Sequence, residues 1–72
     1  MLFHKAHLRT HRVAPGEDLM QIARRYYGAR ADKRYALSIY RHNRDLIENY
    51  NHLQVGTELI IPHFPEDDFG GL

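Results

Sequence analysis

Two stretches of the chain repeat apolar residues with the spacing of an α-helix. In the first stretch the apolar positions follow at i, i+3, i+4 and i+7, which places them on one helical face. Asp18 and Gln21 form a capping-box pattern at its start, and Gly28 is placed to end the helix in a left-handed cap. The sequence therefore predicts helix one over about residues 18–27, with a buried stripe at Leu19, Ile22, Ala23 and Tyr26.

A second helical face follows the polar connection over residues 29–33. Its periodicity predicts helix two over about residues 34–46, with the shared face at Ala36, Ile39, Tyr40, Asn43, Leu46 and Ile47. Asn43 is the one amide on that face. Because a buried amide needs hydrogen-bond partners, we expect Asn43 to have a structural role and to bond backbone groups of a nearby loop.

Short β-strands are predicted on either side of the two helices. Residues 10–14 carry β-branched side chains before a Pro-Gly turn, and residues 57–61 lie between a glycine and a proline. Side chains alternate along a strand, so Leu59 and Ile61 point to one side and Ile60 points to the other. Two strands alone are unstable, so we predict an α+β fold with a two-stranded antiparallel sheet packed under two helices, in the order β-α-α-β.

Charge is divided along the chain although the net charge is only +1. Residues 1–44 hold all ten Lys and Arg with three acids, a net +7, and residues 45–72 hold six acids without Lys or Arg, a net −6. With 72 residues there is room for one small domain, predicted over residues 11–62 between a basic arm, residues 1–10, and an acidic tail, residues 63–72. Two ends of opposite charge suit a protein that bridges an acidic surface and a basic one.

Composition and motifs argue against catalysis, metal binding and cofactors. Cysteine is absent, which removes disulfides, thiolate metal sites and a cysteine nucleophile. His4, His7 and His11 are close in sequence, but no carboxylate lies among them, so solvated histidines on a basic arm are the simpler interpretation. Glu17 and Asp18 are explained by the helix N-terminus rather than by acid–base chemistry. We expect a protein that is not an enzyme and has no cofactor.

Nucleic acid and membranes are also disfavoured as partners. A phosphate-binding surface needs its cations on one face, whereas here they are predicted on an arm, two helices and a loop. Solubility and pairing with acidic neighbours explain these cations more simply. No segment reaches the ~20 apolar residues of a membrane span and no signal-peptide core is visible, so we expect a protein made in the cytoplasm.

Three blocks of the sequence together resemble a LysM domain. Residues 11–28 are similar to that family's first strand, Gly-Asp-Thr-Leu motif and first helix, with Gly16-Glu17-Asp18-Leu19 at the motif. Residues 51–62 are similar to its closing pattern of Asn, an aliphatic residue, Gly, Leu and Ile-Pro, and residues 39–47 resemble its second helix, with Asn43 at a recurrent Asn. The resemblance implies a β-α-α-β module of the kind that binds N-acetylglucosamine chains of peptidoglycan or chitin.

By position, the resemblance also implies a sugar groove between two loops. Backbone groups of these loops would hydrogen-bond an acetamido group, and Leu53 would cover its methyl. Asp18 stands where the family usually has Thr or Ser, and together with Glu17 it makes the rim of the groove acidic. The implied groove residues are Gly16, Glu17, Asp18 and Leu19 on the first loop, and Asn51, His52, Leu53 and Val55 on the second.

A stand-alone LysM-like chain with Tyr26-Tyr27-Gly28 at the end of helix one also resembles components of contractile phage tails and related injection machines. This resemblance implies a structural connector among tube, spike-hub or baseplate subunits, found in a virion or injection particle. The residues expected to dock on such partners are Tyr27, Ile60, Phe64, Phe69 and Leu72. The alternative is a peptidoglycan- or chitin-binding module.

Overall fold

The computed structural model describes residues 9–62, which form two strands and two helices. In chain order these are β1 (Arg9–Arg12), α1 (Leu19–Tyr27), α2 (Lys33–His42) and β2 (Glu58–Ile61). The strands pair in antiparallel fashion. The predicted α+β fold with the order β-α-α-β is therefore confirmed.

The two strands divide their side chains between a covered face and an open one. Arg9 lies opposite Ile61, and Thr10 lies opposite Ile60. Leu59 and Ile61 are fully buried, whereas Ile60 is exposed, as the alternation of strand side chains predicts. Strand β1 begins one residue earlier than predicted, so Arg9 and Thr10 belong to the sheet and not to the arm.

The signals in the sequence set both ends of α1. The Asp18 carboxylate accepts the N–H of Gln21 (2.8 Å), and the Gln21 side chain accepts the N–H of Asp18 (2.9 Å), which completes the predicted capping box. Gly28 ends the helix as predicted, but its φ of +105° and ψ of +166° differ from the predicted left-handed cap, and glycine adopts this conformation without strain. Its N–H bonds Arg24 O (2.9 Å).

Helix α2 begins as predicted but ends four residues earlier. Its N-cap is Asp32, whose carboxylate accepts the N–H of Arg34 (3.0 Å). The helix stops at His42, because the N–H of Asn43 bonds Tyr40 O, three residues back instead of four. The prediction that Leu46 shares the buried face is therefore wrong: Leu46 lies in the following turn and is 51% exposed.

Both helices cover the same face of the sheet, and the core lies between them. The N–H of Val13 bonds Thr57 O (2.9 Å), so the pairing of β1 with β2 continues for one residue beyond the strands. The buried apolar side chains come from α1, α2, β2 and the connections, namely Val13, Leu19, Ile22, Ala23, Ala31, Ala36, Ile39, Ile47, Leu59 and Ile61.

Candidate functional site

The first loop of the predicted groove is held by hydrogen bonds within the domain. Glu17 Oε1 accepts the N–H of Ala14 (2.8 Å) and also bonds His11 Nε2 (2.8 Å). Asp18 is the N-cap of α1, and the side chain of Leu19 is fully buried. Gly16 forms the turn with φ +81°. The polar side chains of this loop, Glu17 and Asp18, therefore hold its conformation, and Leu19 lies in the core rather than on the groove surface.

His11 is the centre of a chain of polar contacts that joins three parts of the domain. Its Nδ1 lies 2.8 Å from the hydroxyl of Tyr26, and its Nε2 lies 2.8 Å from Glu17. Burial alone raises the pKa of the Glu17 carboxyl, but hydrogen bonds from Ala14 and His11 and the positive charges nearby outweigh it and lower that pKa. The interpretation of His11 as a solvated histidine is therefore wrong.

Sequence reasoning missed this polar cluster because its members are far apart in the chain. Tyr26 is 15 residues from His11 and lies on the predicted apolar stripe. The only signal in the sequence was that Arg9 and His11 fall on the same face of a strand. In the structure, the guanidinium of Arg9 lies over the rings of Tyr26 (5.4 Å) and Tyr27 (5.8 Å). Polar residues at alternate positions of a strand can mark a face that contacts hydroxyl groups.

The second loop of the predicted groove is held by Asn49, and its two aliphatic side chains differ in exposure. Asn49 holds it, since its Oδ1 accepts the N–H of Asn51 (2.8 Å) and its carbonyl accepts the N–H of His52 (2.9 Å). Leu53 is half-buried against the core, and Val55 is 58% exposed. A sugar-covering role for Leu53 would use only the exposed part of its side chain.

The ring of Tyr50 lies at the start of the second loop of the predicted groove. Burial raises the pKa of its hydroxyl, and the negative charge of Asp18 raises that pKa further. The ring of Tyr50 packs edge-on against Tyr40 (5.7 Å between centroids). A half-buried aromatic ring therefore precedes the second predicted loop and lies close enough to Asp18 to be affected by its charge.

An open depression of about 530 Å³ lies beside the second loop rather than between the two loops. It shares only His52 with the predicted groove. Its lining is mostly polar. It consists of the carboxylates of Asp45 and Glu48, the amides of Asn49 and Gln54, the imidazole of His52 and the exposed aliphatic side chain of Leu46.

The predicted docking residues have different environments. Ile60 is 37% exposed on the open face of the sheet. Tyr27 is half-buried, its hydroxyl donates to the carbonyl of Pro62, and its ring lies 5.4 Å from that of Tyr35, so its contacts are within the domain. The other three, Phe64, Phe69 and Leu72, lie outside the described residues, as do His4 and His7.

Asn43 is buried between α2 and β2 and makes three hydrogen bonds. Its Nδ2 donates to Ile39 O (2.7 Å) and to Ile60 O (2.9 Å), and its Oδ1 accepts the N–H of Ile60 (2.9 Å). The side chain therefore bonds a strand and not the loop that the sequence predicts. It occupies the outer edge of β2 and satisfies both backbone groups of Ile60.

The described part of the chain, residues 9–62, holds neither a cluster of metal ligands nor a membrane-spanning helix. Within residues 9–62, no group of three or more His, Asp or Glu side chains is placed to hold a metal ion. Neither α1 nor α2 has the length and apolar character needed to cross a bilayer.

Comparison with protein-family models, with curated proteins and with solved structures found no match to this chain. The resemblance to LysM modules therefore stays a prediction from the sequence blocks.

Proposed function

We propose that this protein is a non-enzymatic connector that joins protein subunits through the open face of its two-stranded sheet. The observation that supports this is Ile60, an aliphatic side chain that is 37% exposed on the sheet face that the helices leave open. The kind of assembly is proposed from the sequence resemblance: a contractile tail or injection particle, in which the domain joins tube, hub or baseplate subunits.

The surroundings of Ile60 have the composition of a small interface, with an apolar centre and a polar rim. Thr10 lies directly opposite Ile60, and its hydroxyl donates to Glu58 Oε2 (3.2 Å). Arg12 pairs with Glu58 across 3.6 Å on the same face. Charged groups at the rim of an apolar contact set orientation and partner choice, while burial of the aliphatic side chain contributes on the order of 1 kcal/mol.

The alternative function, binding of N-acetylglucosamine chains, is supported by the depression beside the second loop. Amides, carboxylates and an imidazole are the groups that bond sugar hydroxyls, and here they surround the exposed aliphatic side chain of Leu46. The first loop gives less support, since the carboxylates of Glu17 and Asp18 are already bonded within the domain.

The connector is tested by assembly in the organism that carries the gene. Deletion should leave tail-like particles without a joined hub and baseplate in electron micrographs, and the wild-type gene should restore them. Ile60→Asp should fail to restore them, whereas the matched control Leu46→Asp, at another exposed aliphatic residue, should succeed. Normal particles in the deletion strain, or restoration by a folded Ile60→Asp chain, would show that the proposal is wrong.

The sugar-binding alternative is tested by titrating the isotope-labelled full chain with chitin oligomers and by sedimentation with purified peptidoglycan. Amide shifts at Asn49, His52 and Gln54 that His52→Ala abolishes would support it. The absence of any shift at about 1 mM sugar would exclude useful affinity.

A further inference from the structure

The two outer edges of the sheet differ in how their backbone groups are used. Asn43 bonds both the N–H and the C=O of Ile60, so both groups point away from β1. Along a strand, the backbone N–H and C=O groups of successive residues point alternately toward and away from the neighbouring strand. Two residues that lie opposite one another in an antiparallel pair either both point toward each other or both point away. The position of Asn43 therefore fixes the direction of the backbone groups along both strands.

Thr10 lies opposite Ile60, so its N–H and C=O point outward from the free edge of β1. Arg12 lies two residues further along β1, so its backbone N–H and C=O also point outward. Among residues 9–62, no group bonds the backbone of Thr10 or Arg12 on this side. The next outward position, Ala14, is occupied, because its N–H bonds the Glu17 carboxylate (2.8 Å) and its carbonyl accepts the N–H of Glu17 (3.2 Å). The open edge is short and has a defined end.

The side chains at this edge are cationic on both faces of the strand. On the open face, the Arg12 side chain is 69% exposed, and its contact with Glu58 at 3.6 Å is the kind of surface pair that contributes little to stability. On the covered face, the Arg9 guanidinium lies over two tyrosine rings, and its buried Nε has no hydrogen-bond partner within residues 9–62. A negatively charged strand would meet a cation on each of its two faces.

From this geometry we infer that the free edge of β1 binds an extended acidic segment of a partner protein as a third strand. Backbone groups of Thr10 and Arg12 hold the segment, and its carboxylates lie beside Arg12 on one face and Arg9 on the other. The inference rests on the proposed connector function and names the chemistry of its partner. A second copy of this chain fits less well, because pairing two β1 edges brings arginines of like charge together.

The inference is tested with the isotope-labelled full chain and three synthetic peptides about eight residues long. One repeats Glu-Glu-Val-Val, which puts carboxylates on both faces of the strand, one has Lys in place of Glu, and one is the acidic peptide with methylated backbone nitrogens. The acidic peptide should shift the amides of Thr10 and Arg12 and slow their hydrogen exchange, with a dissociation constant of about 1 mM or lower. The other two peptides should bind at least tenfold more weakly. Equal binding of the methylated peptide would overturn the inference, since charge alone would then explain the affinity.

Two variants separate strand addition from general attraction. Thr10→Pro removes an outward N–H and no backbone bond between the strands. It also removes the exposed hydroxyl bond to Glu58, so the fold should remain while the acidic peptide binds at least tenfold more weakly. Arg12→Glu should reverse the preference toward the Lys peptide, whereas Arg41→Glu, the same charge change on exposed α2, should not.

Three further results would overturn the inference. They are undiminished binding to a folded Thr10→Pro chain, an unchanged preference in Arg12→Glu, and shifts at Thr10 that vanish on dilution without peptide, which would identify a second copy as the occupant. If these occur while Ile60→Asp still fails in particle assembly, the connector stands and uses the face of the sheet rather than its edge.

Discussion

Truncation of Asn43 to alanine should remove a large part of the stability of the domain. The change leaves the N–H of Ile60 and the carbonyls of Ile39 and Ile60 without their side-chain partner. An unpaired buried polar group costs about 1–3 kcal/mol, and water reaches Ile60 more easily than Ile39. With the small cavity included, we expect a loss of about 2–4 kcal/mol. The free energy of unfolding for 72 residues is about 4–11 kcal/mol, so the loss would be large.

Urea unfolding of wild type and Asn43→Ala, followed by circular dichroism, measures this loss directly. Hydrogen exchange at Ile60 adds a local measurement, since its N–H is bonded by Asn43 and not by β1. Its protection should fall further than that of Val13, whose N–H bonds Thr57. A loss below about 0.5 kcal/mol would refute the reasoning, because water would then replace the amide without cost.

Asn43→Asp extends the prediction to pH. The carboxylate still accepts the N–H of Ile60, but it cannot donate to the carbonyls of Ile39 and Ile60. Burial raises the pKa of the new carboxyl in the folded state, so the folded state binds a proton more readily than the unfolded state. The stability of this variant should therefore rise as pH falls through the folded pKa. The matched control Asn51→Asp, at an exposed position, should show no such rise, and an absent rise in Asn43→Asp would contradict the proposed bonds.

Three further predictions concern other contacts. Glu17→Gln should lose about 1 kcal/mol near pH 7, measured by urea unfolding. Because the folded pKa of Glu17 is lowered, its contribution is present above the unfolded pKa and is lost as pH falls through the folded pKa, so the difference from wild type should shrink as the pH is lowered through that range. Gly28→Ala should cost about 1–3 kcal/mol in thermal unfolding, from backbone strain at φ +105° and not from a clash, since nothing lies within 4 Å of the added Cβ. Leu59→Ala should cost about 2–5 kcal/mol and its neighbour Ile60→Ala below about 1 kcal/mol, and equal losses would contradict the register.

Local chemistry made α1 predictable, and a tertiary contact made the end of α2 unpredictable. Asp18, Gln21 and Gly28 act within a few residues of themselves, so their roles are visible in the sequence. The end of α2 depends on Asn43, whose side chain bonds Ile39 O and turns toward a strand 17 residues away. The helical period alone could not reveal this, because the turn that follows still directs Ile47 into the core.

The sites were less predictable than the fold for a related reason. Exposure of Ile60 followed from strand alternation, which needs only the sequence. The contacts of His11 with Tyr26 and Glu17, and the different use of the two sheet edges, depend on how distant segments pack. Polar residues gain their roles from such neighbours, whereas apolar residues are placed by periodicity.

The pairing of Arg9 with Ile61 has a mechanical consequence. The described domain begins and ends on neighbouring strands, with the two Cα atoms of this pair about 5.5 Å apart. A force that pulls these two ends apart acts along the hydrogen bonds between the strands and breaks them one pair at a time, beginning at Arg9. Tension between the ends therefore meets little resistance. A joint that carries load has to receive it on the face and edge of the sheet, where the bonds of both strands resist together.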